Sequence, residues 1–344
     1  MIKDKVNLIT KDIENNQKKL KIKGFEYGCL IIKEANTWVE EAKNRPIPNM
    51  LFSELWYENE LCILFADTNL GKSILAVQIA DSISKGKAIP GFKLESPPKR
   101  VLYLDFELSD KQFENRCSEQ YENHYQFNKN FLRAEFHTEL ELPKEYNNIE
   151  EYLCATLSDI ITKTKVSVLI VDNLTFLSSE NEKAKDALIL MKTLKKISNT
   201  NNVSILVLAH TPKRDDSKPI SKNDLAGSKM LMNFCDSCFA IGSSSQEASF
   251  RYIKQIKQRN TEHLYHSENV IVCSLDKETN FLEFHFEDFD SEKAHLKTFG
   301  TSDLEERDEQ MKFLISEGKN NVHIAEMLNV CEGTIRKRRK KLNI

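Results

Sequence analysis

The stretch that decides the fold is Leu61–Ser73, which reads LCILFADTNLGKS. Its first five residues, Leu61–Phe65, are apolar throughout and have the length of a buried strand. The segment that follows, Ile74–Ser84, has the apolar spacing of an amphipathic helix. A strand, a short loop and a helix in this order, with Gly71–Ser73 at the helix start, are typical of a loop that binds phosphate groups through backbone N–H groups.

This loop predicts a site for ATP and Mg²⁺. Lys72 would place its positive charge on the β- and γ-phosphates, and Ser73 would offer its hydroxyl to Mg²⁺. Ala66 replaces the glycine with which such loops usually begin, and alanine is the smallest substitute. The alternative is a chance Gly-Lys-Ser at the start of a helix. The predicted nucleotide-binding residues are Ala66, Asp67, Thr68, Asn69, Leu70, Gly71, Lys72, Ser73 and Ile74.

The composition of the 344 residues is ordinary for a soluble globular protein, with 40% hydrophobic and 29% charged residues. The net charge of −3 means that any surface that binds nucleic acid must be local. No apolar run approaches the roughly 18 residues that a membrane span needs. We therefore expect a cytoplasmic protein without a membrane partner, whose scattered cysteines are reduced. Cys235 and Cys238 form a lone C-x-x-C pair, for which packing is the expected role.

Apolar runs of strand length alternate with amphipathic stretches of helix length between about residues 51 and 290. This alternation predicts an α/β fold with a mainly parallel sheet that helices cover on both faces. The runs are Leu61–Phe65, Val101–Leu104, Val166–Val171, Val203–Ala209 and Ser237–Ile241. Three later segments alternate apolar with polar residues and predict antiparallel edge strands: Phe250–Gln258, Asn269–Ser274 and Phe281–Phe286.

The domain organisation predicted from these patterns has four parts. Residues 1–50 form an N-terminal extension and residues 51–290 form the α/β domain. Residues 291–303 are polar and are interpreted as a linker. Residues 304–344 form a small all-α unit with a basic end.

Two carboxylates are predicted at the edge where a parallel sheet binds its ligands. Asp172 follows the run Val166–Val171 and is predicted to hold Mg²⁺ together with Ser73, although a turn-capping role is the alternative. Asn173 comes next, where other P-loop proteins carry a catalytic glutamate, so the base must come from another strand. Glu107 follows the run Val101–Leu104 and is the preferred candidate to orient the attacking water.

Other polar residues complete the candidate site. Asp105 competes with Glu107 for the role of base. His210 ends its strand and is a candidate to hydrogen-bond the γ-phosphate, with simple strand capping as the alternative. Lys257 and Arg259 share one face of a strand, since residues of equal parity point the same way. They could stabilise phosphate charge, or they could form a solvated basic edge.

These residues in this order resemble the RecA-like ATPases, and among them the DnaB and RepA replicative helicases. The resemblance covers about residues 50–290. It implies that Glu107 is the catalytic glutamate and that His210 senses the γ-phosphate. It also implies that Lys257 and Arg259 reach the active site of a neighbouring subunit.

Proteins of this type form six-membered rings around single-stranded DNA, so the resemblance implies a homohexamer and a DNA partner in a channel. The loops after Asp172 and after His210 would line that channel. The second loop is basic, although a solvated surface loop is the alternative; it contains Lys213, Arg214, Lys218 and Lys222. The short N-terminal segment favours the compact RepA type, or a relative that kept the ATPase and changed its role.

The C-terminal segment resembles the helix-turn-helix of sigma factors, response regulators and resolvases. The resemblance rests on apolar positions at Ile324, Ala325, Leu328, Val330 and Ile335. We predict that this unit binds duplex DNA, with the alternative of a charged helix on a small bundle. Base edges would be met by Glu332, Thr334 and Arg336, and phosphates mostly by the later basic residues, among them Arg338 and Arg339.

Taken together, the sequence predicts a Mg²⁺-dependent ATPase that acts on DNA, suited to the replication of a plasmid or mobile element. The rival prediction is a regulator or recruitment factor that binds DNA and responds to ATP without translocating. A nucleotide-binding protein without turnover is the third possibility.

Overall fold

The computed structural model describes residues 25–137, 139–173, 183–212, 214–225, 228–297, 301–328 and 332–342. The chain divides into two compact units, Met1–Pro48 and Asn49–Ile344, which we describe separately. Among the described helices, none combines the length and the apolar composition that crossing a membrane requires.

The first unit contains a short hairpin and one helix in its described part. Strands β1 (Phe25–Tyr27) and β2 (Leu30–Ile32) pair antiparallel, and helix α1 covers Ala35–Lys43. Gly28 lies in the turn between the strands with a φ of 58°, a conformation that glycine adopts without steric cost. Both strands are exposed and the helix buries no residue, so the described part of this unit contains no core.

The second unit contains the large sheet. Its strands are β3 (Met50–Phe52), β4 (Trp56–Tyr57), β5 (Leu61–Ala66), β6 (Val101–Asp105), β7 (Ser118–Glu119), β8 (Asn123–His124), β9 (Phe131–Glu135), β10 (Val168–Asp172), β11 (Ser204–His210), β12 (Ser237–Ser243), β13 (Phe250–Lys257), β14 (Val270–Asp276) and β15 (Glu283–Asp290). Its helices are α2 (Lys72–Lys85), α3 (Asp110–Arg116), α4 (Ile149–Thr164), α5 (Lys183–Asn201), α6 (Ser228–Phe234), α7 (Glu292–His295), α8 (Thr301–Ser316), α9 (Asn321–Met327) and α10 (Glu332–Leu342).

Within the described part of the chain, the large sheet has nine strands in the order β15-β14-β13-β12-β5-β11-β10-β6-β9. The strands from β12 to β9 in this order pair in parallel, whereas β13, β14 and β15 continue the sheet in antiparallel pairs. Helices flank this sheet, so the predicted α/β fold with a mainly parallel sheet is confirmed. The three antiparallel strands are also those predicted from alternating residues.

The strand β5 is buried on both of its faces, which explains its continuous apolar sequence. Leu64 packs in a core that contains Leu75 of α2. The next residue, Phe65, points to the other face and packs in a second core with Leu157 of α4 and Leu190 of α5. Because both faces exclude water, the loop that follows β5 is held by a rigid base.

The sequence predicts a linker over residues 291–303, but the first part of this segment is folded in the structure. The short helix α7 lies within this segment, and its Glu292 is fully buried. The Nζ atom of Lys254 donates to Glu292 Oε2 at 2.5 Å, and the backbone N–H of Ile220 donates to Glu292 Oε1 at 2.6 Å. The first part of the segment is therefore packed through a buried ion pair, which its polar composition does not reveal.

The C-terminal helices α8, α9 and α10 enclose a small apolar core. Its buried members are Met311, Leu314, Ile324, Ala325 and Ile335. Three of the apolar positions on which the helix-turn-helix prediction rests therefore lie in this core, with Leu328 partly buried against it. Val330 lies outside the described residues, so the structure does not describe the predicted turn.

Candidate functional site

The loop between β5 and α2 has the backbone shape that a phosphate cradle requires. Asn69 and Gly71 have φ values of 63° and 92°, in the left-handed region. A Cβ atom on Gly71 would lie 2.9 Å from Cζ of Phe284, so a larger residue would both strain the backbone and collide with this ring. Gly71 caps α2 without a side-chain hydrogen bond, which leaves the first N–H groups of the helix for an anion.

Lys72 is buried at the start of α2. Its ammonium group donates to the backbone carbonyls of Ala66 and Asp67, at 3.0 Å each. Burial lowers the pKa of Lys72, while the carboxylates of Asp172 and Glu107 act in the opposite direction. The lysine is thus held over the loop, within the electrostatic reach of the predicted Mg²⁺ ligand Asp172 and the predicted base Glu107.

Asp172 ends β10 beside β6 and is almost completely buried. Tyr103 on β6 donates its hydroxyl hydrogen to Oδ2 of Asp172. Burial raises the pKa of Asp172 to about 6, although the nearby hydroxyls of Ser73 and Tyr103 oppose this rise. Oδ1 of Asp172 is buried and has no hydrogen-bond partner among the described residues. This carboxylate oxygen near the hydroxyl of Ser73 fits the hard oxygen ligands that Mg²⁺ prefers.

The structure separates the two candidates for the catalytic base. Oδ1 of Asp105 accepts the backbone N–H groups of Glu107 at 3.2 Å and of Leu108 at 3.0 Å. Oδ2 of Asp105 accepts from Nε of Arg133 at 3.0 Å. Asp105 is therefore occupied in shaping the turn after β6. This turn carries Glu107, whose side chain remains partly exposed beside the neighbouring strand ends.

Glu107 belongs to a polar cluster that joins the ends of β6, β10 and β11. Nδ2 of Asn173 donates to Oε1 of Glu107 and lies 2.9 Å from Nε2 of His210. The distance between His210 Nε2 and Glu107 Oε1 is 3.5 Å. The neighbouring His210 is the main cause that lowers the pKa of Glu107, so this carboxylate is ionised at neutral pH. Nδ1 of His210 is buried without a partner among the described residues.

Asn173 is the residue of this cluster whose role the sequence analysis missed. From the sequence, Asn173 serves only to show that no glutamate follows Asp172. In the structure it is buried and bridges Glu107 to His210. The signal for this role was its position directly after a strand-end acid, where side chains meet at the carboxyl edge of the sheet.

Lys257 and Arg259 lie away from the phosphate loop of the same chain. Lys257 pairs in register with Cys238 near the start of β12, whereas Ala66 at the end of β5 pairs with Ile241. Nζ of Lys257 donates to the carbonyls of Met232 and Cys235, at 2.6 and 2.7 Å. Nη1 of Arg259 lies 3.1 Å from Oδ1 of Asp236. The structure does not bring these two cations into the site of their own chain.

The predicted channel loops are described only in part. Beyond Asn173, residues 174–182 of the loop after Asp172 lie outside the described residues, as does Lys213. Arg214 is half-buried, and its guanidinium donates to the carbonyl of Lys218. Lys218 itself is exposed and lies 3.3 Å from Asp215. Arg214 is therefore turned towards its own loop.

The basic end of the C-terminal unit is partly used within the unit. Arg338, predicted to meet DNA phosphates, donates instead from Nε and Nη2 to the two oxygens of Asp308, at 2.7 and 2.6 Å. Arg339 donates to Oδ1 of Asn321 at 2.8 Å. Arg336 is exposed. The side chains of Glu332 and Thr334 at the start of α10 lie outside the described ones.

The mainly parallel sheet, the loop on β5 and the acids at the carboxyl edge define a P-loop nucleoside triphosphatase with a RecA-like fold. A family model described as an AAA domain matches residues 32–216, more than half of the chain. The chain belongs to this family of P-loop ATPases, which supports nucleotide binding and ATP hydrolysis. None of the curated proteins matches the chain.

Proposed function

We propose that the chain hydrolyses ATP with Mg²⁺ at the carboxyl edge of its sheet and couples this hydrolysis to action on DNA. The observation that carries the first half is the convergence of Glu107, Asn173 and His210 beside the loop that holds Lys72. The neighbouring ends of β6, β10 and β11 supply this cluster.

In this proposal the ionised Glu107 orients and polarises the water that attacks the γ-phosphate. Asn173 acts as a positioning residue because its amide holds the carboxylate of Glu107. His210 responds to the loss of the γ-phosphate through the same amide. Lys72 stabilises negative charge on the phosphates. Ser73 and Asp172 would hold Mg²⁺, which when bound neutralises charge on the phosphate oxygens.

The action on DNA is proposed to be that of a ring-shaped replicative helicase of the DnaB and RepA type. The support is the ordered set of motifs, together with a basic loop after His210. Lys257 and Arg259 would then act in the site of a neighbouring subunit, since they are remote from their own. In such a ring these cations would exchange their present partners for phosphate oxygens.

Mass photometry with ATP and an unlabelled oligothymidine, combined with ATPase assays, tests this proposal. We expect six-subunit particles and hydrolysis that single-stranded DNA stimulates severalfold. Arg259→Gln should remove most of the stimulated hydrolysis without preventing ATP binding. A monomer or dimer whose turnover is insensitive to single strands would contradict the helicase.

A second candidate is an ATP-dependent DNA-binding regulator that does not translocate. Two observations favour it: Lys257 and Arg259 have partners within the chain, and a basic helix ends the C-terminal unit. On this proposal Arg336→Ala weakens duplex binding about tenfold, as measured by fluorescence anisotropy, and leaves ATP hydrolysis unchanged. Lys163→Ala on the exposed surface of α4 is the control, and equal binding by both variants would remove the C-terminal unit from DNA recognition.

A further inference from the structure

A cavity of about 310 Å³ lies beside the phosphate loop, on the side away from Glu107. It is enclosed by the first residues of the loop, the segment after β11, the end of β12 and the start of β13. The polar residues that matter for its chemistry are Thr68, Thr211, Arg214, Ser243, Arg251 and Lys297. Its lining shares Asp67, Thr68 and Leu70 with the predicted nucleotide-binding loop, but it contains none of Lys72, Ser73, Glu107, Asp172 and His210.

Three polar side-chain atoms of this lining are buried without a hydrogen-bond partner among the described residues. They are Oγ1 of Thr211, Nε of Arg214 and Nε of Arg251. Buried polar groups are paired in most native proteins, because an unpaired group retains the cost of its lost hydration. Hydrogen-bond donors in a shared cavity indicate a ligand that is rich in acceptor atoms.

The arginine of β13 is fixed in place. Nη1 of Arg251 donates to the carbonyls of Ala248 and Phe250, at 2.7 Å each. These bonds hold the guanidinium at the start of the strand, on the same edge of the sheet as the phosphate loop. Burial lowers the pKa of Arg251.

The charges around the cavity favour an anion. Arg214, Arg251 and Lys297 are cationic, whereas Asp67 and Asp216 are acidic. Nζ of Lys297 binds Oδ2 of Asp216 at 3.1 Å, and Oδ1 of Asp67 accepts the N–H of Thr68 at 2.7 Å within the loop. Both acids are therefore engaged, whereas the Nε atoms of Arg214 and Arg251 remain as unpaired donors among the described residues.

We propose that this cavity binds a phosphate oxyanion separate from the phosphates of the nucleotide. A planar guanidinium with a hydroxyl nearby is suited to the oxygens of a phosphate group. The phosphate belongs either to a nucleic-acid strand or to free inorganic phosphate, and both present the same oxygens. This site does not depend on whether the neighbouring loop hydrolyses ATP.

Arg251→Gln tests the proposal in the full chain, with the phosphate loop first saturated with Mg²⁺ and ADP. Fluorescence anisotropy with a labelled oligothymidine and calorimetric titration with sodium phosphate measure the two sources separately. We expect the variant to weaken one of these affinities about tenfold, the effect of losing one charge-assisted hydrogen bond. Weaker oligothymidine binding identifies a strand, and a loss confined to sodium phosphate identifies the free ion.

Arg100→Gln is the matched control, because Arg100 is exposed and its Nη1 donates only to the carbonyl of Thr164. Arg214→Gln supplies a second variant should Arg251→Gln fail to fold, as judged by circular dichroism. Unchanged affinities in both variants, or an equal loss in the control, would overturn the proposal. A fall in ADP affinity as large as the loss of phosphate binding would also overturn it, by making the cavity part of the nucleotide site.

Discussion

The two edges of the parallel sheet differ in how completely their polar groups are paired. At the carboxyl edge, atoms of Asp172, His210 and Thr211 are buried without a partner among the described residues. At the amino edge, Glu60 and Asp236 each bind several donors. Unpaired polar groups cost stability, so these three at the carboxyl edge indicate a place kept ready for ligands.

The amino edge is a closed hydrogen-bond network. Oε2 of Glu60 accepts from the hydroxyl of Ser237 at 2.7 Å, and Oε1 accepts from Nδ2 of Asn260 at 2.7 Å. Oδ2 of Asp236 accepts the backbone N–H of Leu61 at 3.0 Å and also binds Lys195. This edge fastens the start of β5 to its neighbours. This comparison indicates that the amino ends of the strands stabilise the fold, whereas the carboxyl ends of the same strands form the candidate site.

A large effect should follow when one of two lysines at opposite edges of the sheet, Lys72 or Lys195, is replaced by alanine. Lys72→Ala removes the cation at the carboxyl edge and should lower ATP hydrolysis about 10²–10³-fold, measured by phosphate release. The free energy of unfolding of the Lys72→Ala variant should fall by less than about 1 kcal/mol. The loss is small because the substitution also removes a charge whose burial is costly. Lys195→Ala at the amino edge is the control, which should retain hydrolysis and lose stability. If Lys195→Ala lowered hydrolysis and Lys72→Ala retained it, the assignment of hydrolysis to the carboxyl edge would be wrong.

Asp172 should make the stability of the protein depend on pH when nucleotide and Mg²⁺ are absent. Its folded-state pKa is raised to about 6 from 3.8, so the folded protein binds this proton more tightly than the unfolded chain. The resulting stability is full below about pH 4 and is lost as the pH rises through about 6. Asp172→Asn keeps an acceptor for Tyr103 but cannot ionise.

Wild type should therefore lose about 3 kcal/mol of unfolding free energy relative to Asp172→Asn between about pH 4 and pH 8. Urea denaturation at several pH values measures this difference. Asp159→Asn, which changes an exposed carboxylate on α4, is the control. A difference in unfolding free energy between wild type and Asp172→Asn that stays constant with pH would show that ionisation of Asp172 does not destabilise the folded protein.

Asp236→Ala should destabilise the protein by about 2 kcal/mol, because the N–H of Leu61 and the ammonium of Lys195 lose their acceptor. Urea denaturation gives this value, and the affinity for labelled ADP should stay within about twofold of wild type. A loss of ADP binding at unchanged stability would mean that the amino edge takes part in the nucleotide site.

The smallest expected effect is that of Ser237→Ala, which removes one buried hydrogen bond to Glu60. The free energy of unfolding should fall by about 1 kcal/mol, again without a change in ADP affinity. Ser316→Ala, at an exposed position near the end of α8, should change stability by less than about 0.5 kcal/mol. Equal values for the two variants would indicate that the buried hydrogen bond between Ser237 and Glu60 does not contribute to stability.

The central strands could be predicted because strands that are buried on both faces appear in a sequence as continuous apolar runs. Strand β9 was missed, since Phe131–Glu135 is a partly exposed edge strand that contains a charged Arg133. Helix α7 was missed because the buried pairing of Glu292 with Lys254 joins residues far apart in the chain. A local sequence pattern indicates which residues are buried, but it does not indicate which polar residues pair when they are far apart in the chain.

The individual residues of the candidate site could be predicted from the sequence, but the contacts between them could not. Each of Lys72, Asp172, Glu107 and His210 follows a strand, which a sequence shows directly. That Asp105 is occupied by Arg133, and that Asn173 joins Glu107 to His210, depends on the order of strands in the sheet. Strand order is set by packing of the whole domain, so these contacts required the structure.

Glu107→Gln tests most directly whether the carboxyl edge is a hydrolytic site. The amide keeps the size of the side chain but cannot polarise water as a carboxylate does. We predict that single-turnover ATP hydrolysis falls about 10²–10⁴-fold while the affinity for a fluorescent ATP analogue stays within about twofold. Glu119→Gln, at the exposed residue of β7, should change neither quantity. Unchanged hydrolysis in Glu107→Gln would contradict the assignment of the base and, with it, this account of the carboxyl edge.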